Sequence, residues 1–255
     1  PMLNLAPLSI KEIEQYLEEE DSIDLAKGVS YEKIALLLAD YLDQLGAKGI
    51  EKRLLTVEFF LPLNLMNKAL EQCAIPGPAG WAEHMPLGLQ RNCAHVLLRS
   101  QDRLEGGFKR CLPTWERKWK ILQSSATAET TFVDGDRHKI KLGDKLESDE
   151  VFGLSLSKHP TISRKGEIAM LLITGTPAAI WLRCQTTELS LCDCLHSKVL
   201  SGNLSDVSRA VWSLRQQTPK PEGLEDLESS AELGHHLSFM WENPERVPPT
   251  INYFL

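Results

Sequence analysis

Gly234-His-His-Leu-Ser-Phe-Met-Trp-Glu-Asn-Pro-Glu-Arg-Val-Pro-Pro249 is the stretch on which the reading of this chain turns. Leu237, Phe239 and Trp241 alternate with Ser238 and Met240, the period-two pattern of a strand packed in a core. The strand runs directly into Glu242, Asn243, Pro244 and Arg246, and the prolines stop further pairing. Chain ends normally fray. A buried strand closing on a polar cluster instead predicts a tail built into the sheet.

Working outward, three more segments have the same character. Ala178–Leu182 is apolar throughout and ends at Arg183. Ala94–Leu98 is apolar and is followed by Arg99, Ser100, Asp102 and Arg103. Leu54–Leu61 is mostly apolar on both alternating faces and stops at Pro62. Strands apolar on both faces belong to a sheet covered on both sides.

Helical patterns separate these strands. Ile34, Leu37, Leu38, Tyr41, Leu42 and Leu45 fall on one face of a helix capped by Ser30 and stopped at Gly46. Ser9 with Glu12 makes a capping box for an earlier helix. Leu63–Leu70 reads as a short helix. Thr114 caps a helix with Trp115, Trp119 and Leu122 inward and Arg117, Lys118 and Lys120 outward. Ser163 opens another, with Ile168, Leu171 and Leu172 buried and Gly175 as its stop. Val207, Val211 and Leu214 mark a further one, capped at Asn203 or Ser205, and Leu224–Leu233 a last, acidic one. Asp134-Gly135 predicts a hairpin between Thr131–Val133 and His138–Leu142, an edge ribbon. The sum is an α/β fold: a mixed, largely covered sheet with flanking helices. Residues 1–50 read as a helical lead-in and 51–255 as the α/β domain.

Composition narrows the functional classes. The 255 residues carry a net charge of −7, which argues against a domain-wide nucleic-acid footprint. No apolar run approaches the roughly 18 residues of a membrane span, and no signal-peptide pattern is visible. Six scattered cysteines in a chain this long read as reduced thiols, which predicts a cytoplasmic protein. There is no phosphate-binding Gly-rich loop and no Gly-x-Ser-x-Gly.

In α/β sheets, ligands sit beyond the carboxyl ends of strands. Three of the four core strands end in charged groups there, so Arg99, Asp102, Arg103, Arg183, Glu242, Asn243 and Arg246 form the candidate binding rim. Guanidinium groups suit it because they hold carboxylate or phosphate through paired hydrogen bonds. The competing reading is internal: Arg183 or Arg246 pairs with Asp102 and Glu242 to pin the tail. Cys192, Cys194 and His196 are weak metal candidates. As a strand they would share a face, but the spacing is too tight for a standard zinc knuckle. The acidic residues between Asp134 and Glu150 lack calcium-loop spacing and read as a solvated face. Glu58 lacks the spaced lysine partner of a nuclease carboxylate. No cofactor is expected.

Five motifs, in order, resemble the C-terminal domain of vWA-MoxR-associated proteins over about residues 50–250. They are Leu55–Leu65, His95–Leu104, Trp115–Trp119, Gly175–Arg183 and Leu237–Pro249. The chain departs from that family's pattern at Glu242-Asn243, where two acids are commoner, and at Cys73, where tryptophan is frequent. The resemblance implies a regulatory module of bacterial conflict systems, beside a MoxR-type AAA+ ATPase and a von Willebrand factor A (vWA) protein. It also implies a peptidase effector in cis or in trans, and that residues 1–50 belong to the middle of a longer protein. Two functions follow as alternatives. One is a non-catalytic sensor-adaptor. The other is a hydrolase or nucleotide-ligand-binding enzyme sited at the strand carboxyl ends. Arginines spent on internal carboxylates favour the first, and a deep pocket shared by Arg99, Arg183 and Arg246 the second.

Overall fold

The computed structural model describes residues 31–49, 55–75, 85–89, 95–104, 106–124, 131–183, 193–217 and 233–246. Helix α1 (Tyr31–Ala47) precedes strand β1 (Thr56–Leu61). The expected helix at Leu63–Leu70 is two 3-10 turns, Leu63–Leu65 and Leu70–Gln72. Strands β2 (Ala74–Ile75) and β3 (Met85–Pro86) form a small antiparallel pair. Strand β4 (His95–Ser100) leads through 3-10 turns at Gln101–Leu104 and Gly106–Cys111 into helix α2 (Leu112–Ser124). Then come β5 (Phe132–Asp134), α3 (Leu142–Glu147), β6 (Gly153–Leu156), α4 (Glu167–Ile173), β7 (Ala178–Leu182), α5 (Val207–Gln217) and β8 (Leu237–Trp241). The expected capping box at Ser9, the expected cap at Ser30 and the expected acidic helix at 224–233 lie wholly or mainly outside the described residues.

Six strands form one mixed sheet in the order β1-β4-β8-β7-β6-β5. β1, β4 and β8 are parallel to one another, as are β5, β6 and β7. β8 meets β7 antiparallel, so the two parallel groups point in opposite directions. The tail strand therefore sits in the middle of the sheet.

Both faces are covered. On one, Ile180, Leu182, Leu237 and Phe239 pack under Trp119, Leu122, Val207, Val211 and Leu214 of α2 and α5. On the other, Leu154, Leu156, Ala179, Trp181 and Met240 meet Leu142, Leu146, Ile168, Leu171 and Leu172 of α3 and α4. Ala35 of α1 joins this second cluster, and Leu42 packs with Ile75, Leu87 and Val96. Burial of a large aliphatic side chain contributes about 1.5–3 kcal/mol, so these layers dominate the stability. Gly175 ends α4 at a φ of 67°, and a Cβ there would sit 2.7 Å from the Trp115 nitrogen. Only glycine lets the chain turn into β7 against α2.

Two further expectations are corrected and one strand is added. Asp134-Gly135 is not a hairpin turn: β5 pairs parallel with β6, and the lysine-rich segment after it folds as a 3-10 turn and α3. Strand β6, buried along its length, was not anticipated from the sequence. Lys118 points inward and is fully buried.

Candidate functional site

The carboxyl ends of β1, β4 and β8 share one edge of the sheet, and there the tail residues are locked to β4. Glu242 continues β8, its N–H donating to the Pro177 carbonyl at 2.8 Å and its own carbonyl accepting from Trp115 Nε1 at 2.8 Å. Its side chain is buried; Oε1 accepts the Ser100 N–H, and Oε2 lies 3.5 Å from Arg103 Nε.

Arg103 is as buried as its partner. It donates to the carbonyls of Leu172 at 3.1 Å and Thr176 at 2.8 Å, and its guanidinium carbon stands 4.8 Å over the Trp115 ring. Burial lowers its pKa, opposed by the Glu242 carboxylate. Arg99, also buried, donates to the carbonyls of Asn243 and Arg246, reaches Glu58 at 3.3 Å and stacks 4.9 Å over Phe60. Arg246, about a quarter exposed, meets the same Glu58 oxygen at 3.1 Å. Asp102 accepts the Leu63 N–H and tethers the turn after β1. The Asn243 Oδ1 accepts the Glu245 N–H at 2.9 Å, shaping the final turn.

Thus Arg99, Asp102, Arg103, Glu242, Asn243 and Arg246 converge as expected, but Arg183 does not. Because β7 runs against β8, its carboxyl end lies at the opposite edge, where Leu182 faces Leu237. There the Arg183 N–H donates to His236 O at 2.8 Å, and its side chain pairs with the buried Glu71. The expectation that these three strand ends share one rim required them to run the same way, and the antiparallel step overturns it.

The gathered rim is filled by its own partners. Buried guanidinium groups need acceptors; here these are mostly main-chain carbonyls of the tail, of α4 and of the turn after it, while Arg99 Nε has none among the described residues. A group so engaged is poorly placed to grip a ligand. Glu58, weighed only as a catalytic acid, is the carboxylate joining Arg99 to Arg246.

Of the metal candidates, two lie among the described residues. Cys192 is outside the described residues, while Cys194 and His196 lie on helical turns, where residues two apart face different ways. His196 Nε2 is instead 3.3 Å from Ser155 Oγ. Among the described residues no group of three metal-capable side chains occurs. The Ser155–His196 pair was missed; Ser155 is fully buried, and among the described residues the imidazole has no carboxylate to orient it. Also missed was a buried lysine, Lys118. Its Nζ donates to Leu146 O and to Thr176 Oγ1 at 3.3 Å, and burial pushes its pKa down to about 8. Its only sequence signal was its place between Trp115 and Trp119 on α2.

Among the described residues no helix is long and apolar enough to cross a membrane. No curated protein and no solved structure matches the chain. The family model for the vWA-MoxR associated protein C-terminal domain matches residues 9–244, reaching further toward the N-terminus than the five motifs. The family's name ties it to vWA and MoxR proteins, a general regulatory context. Nearly all of this α/β chain falls within that match, and it belongs to the vWA-MoxR associated protein C-terminal domain family.

Proposed function

We propose that the chain is a non-catalytic sensor-adaptor module of a bacterial NTP-dependent conflict system of the antiviral-defence type. In this reading it works in the cytoplasm, docks a MoxR-type AAA+ ATPase, a vWA protein or both, and relays their state to a peptidase effector in cis or in trans. One observation carries the choice of adaptor over enzyme. Arg99 and Arg103, the best-placed ligand-binding groups, are buried and committed to Glu58, Glu242 and four main-chain carbonyls. Arg183, which an enzyme site at the strand ends would need, lies at the other edge.

The test is pairwise binding of the full chain to the MoxR-type ATPase and to the vWA protein of its own host. Size-exclusion chromatography with light scattering would be run with ATP, with ADP and without nucleotide. A complex with at least one protein is expected. No complex in any nucleotide state would contradict the proposal.

A further inference from the structure

Every neighbouring pair in the main sheet but one is zipped by a run of main-chain partners. β1 and β4 stay in register over six residues, β7 and β8 over five, β6 and β7 over four. Between the second and third strands, β4 and β8 register at a single pair, Leu98 with Met240.

Side chains continue the seam on both sides of that pair. Toward the strands' amino ends, Arg215 of α5 donates to Val96 O of β4 at 3.2 Å and to Leu237 O of β8 at 2.9 Å. It is buried, no carboxylate partners it among the described residues, and its Nε has no acceptor. Toward the carboxyl ends, the Glu242 carboxylate takes the Ser100 N–H where β8 has ended, and Arg99 grips the carbonyls of Asn243 and Arg246.

Main-chain ladders form cooperatively and exchange slowly, whereas a junction held by side chains opens when those side chains let go. We propose that the β4–β8 seam is an opening joint, keyed by Arg215 at one end and by Arg99 with Glu242 at the other. It divides the sheet into a unit carrying β1 and β4 and a unit carrying β5 to β8. Opening there leaves the longer ladders intact. It breaks one registered strand pair, a few arginine and carboxylate bonds, and the packing of Leu97 and Leu98 in the clusters that hold Phe239 and Met240. This joint belongs to the fold and is independent of which partner the chain binds.

Residue-resolved hydrogen exchange by NMR on the intact chain tests it without a partner. Amides bonded across the seam, within Leu97–Ser100 and Phe239–Trp241, are expected to exchange at least about tenfold faster than those of Leu154–Leu156 and Ala179–Leu182. Arg215→Gln should speed the seam amides by roughly a further tenfold and leave the β6–β7 amides unchanged. Equal protection across β4, β8, β7 and β6 in the unmodified protein would overturn the proposal. So would an Arg215→Gln variant that speeds all sheet amides alike. If that variant does not fold, the pattern in the unmodified chain decides.

Discussion

Replacing Glu242 by glutamine separates a structural rim from a ligand site. The substitution keeps the side chain's shape and an oxygen for the Ser100 N–H, and removes the charge facing Arg103. Both partners are only 1% exposed, so water cannot compensate the guanidinium. Breaking one side of a buried pair typically costs about 3–5 kcal/mol. Arg103 keeps its bonds to Leu172 O and Thr176 O, which brings the expected loss to about 2–4 kcal/mol. For a chain of this size that lowers Tm by roughly 5–15 °C. The assay is thermal and urea unfolding of both proteins at pH 7, with the m-value checked for change. A Glu242→Gln protein with unaltered Tm but lost partner or ligand binding would refute the reasoning, because the carboxylate would then serve a site and not the fold.

Three further outcomes are expected. Arg183→Ala strands the buried Glu71 carboxylate and should cost about 3–5 kcal/mol. Arg246→Ala leaves Glu58 paired to Arg99 and should cost about 1 kcal/mol or less; urea titration checks both. The Lys118 amine, held down at about 8 when folded, binds fewer protons than in the unfolded chain once pH passes 8. Stability should therefore rise with pH, by about 1 kcal/mol between pH 7 and 9. Lys118→Met should lack that rise. Equal slopes for the two proteins in paired unfolding titrations would show that Lys118 is not the source.

The core was legible where burial wrote it into composition. Ala178–Leu182 and Leu237–Trp241 match β7 and β8 to the residue because the first is apolar on both faces and the second alternates with period two. Gly175 was readable as a helix stop because its positive φ excludes side chains. β6 was not, because its four residues begin with Gly153, which lies against the Phe132 ring and gives no β-branched signal. Strand direction was equally hidden. Nothing local in Arg183 says that β8 will insert antiparallel beside β7, and that non-local step divides the predicted rim. Lys118 escaped because a lysine on an amphipathic helix is normally solvated, and only the packing of α2 against Leu146 and Thr176 makes it interior. Six of the seven residues named from strand ends meet at one edge; that Arg99 and Arg103 turn inward to main-chain carbonyls required the three-dimensional path of the tail.

The most direct measurement is affinity capture of the full chain from lysate of its native host, with and without ATP, read by mass spectrometry. The account predicts recovery of a MoxR-type ATPase, a vWA protein or both, with an amount that depends on ATP. Recovery of neither in either condition, with a small molecule co-purifying instead, would contradict it and return the strand-end rim to the status of an enzyme site.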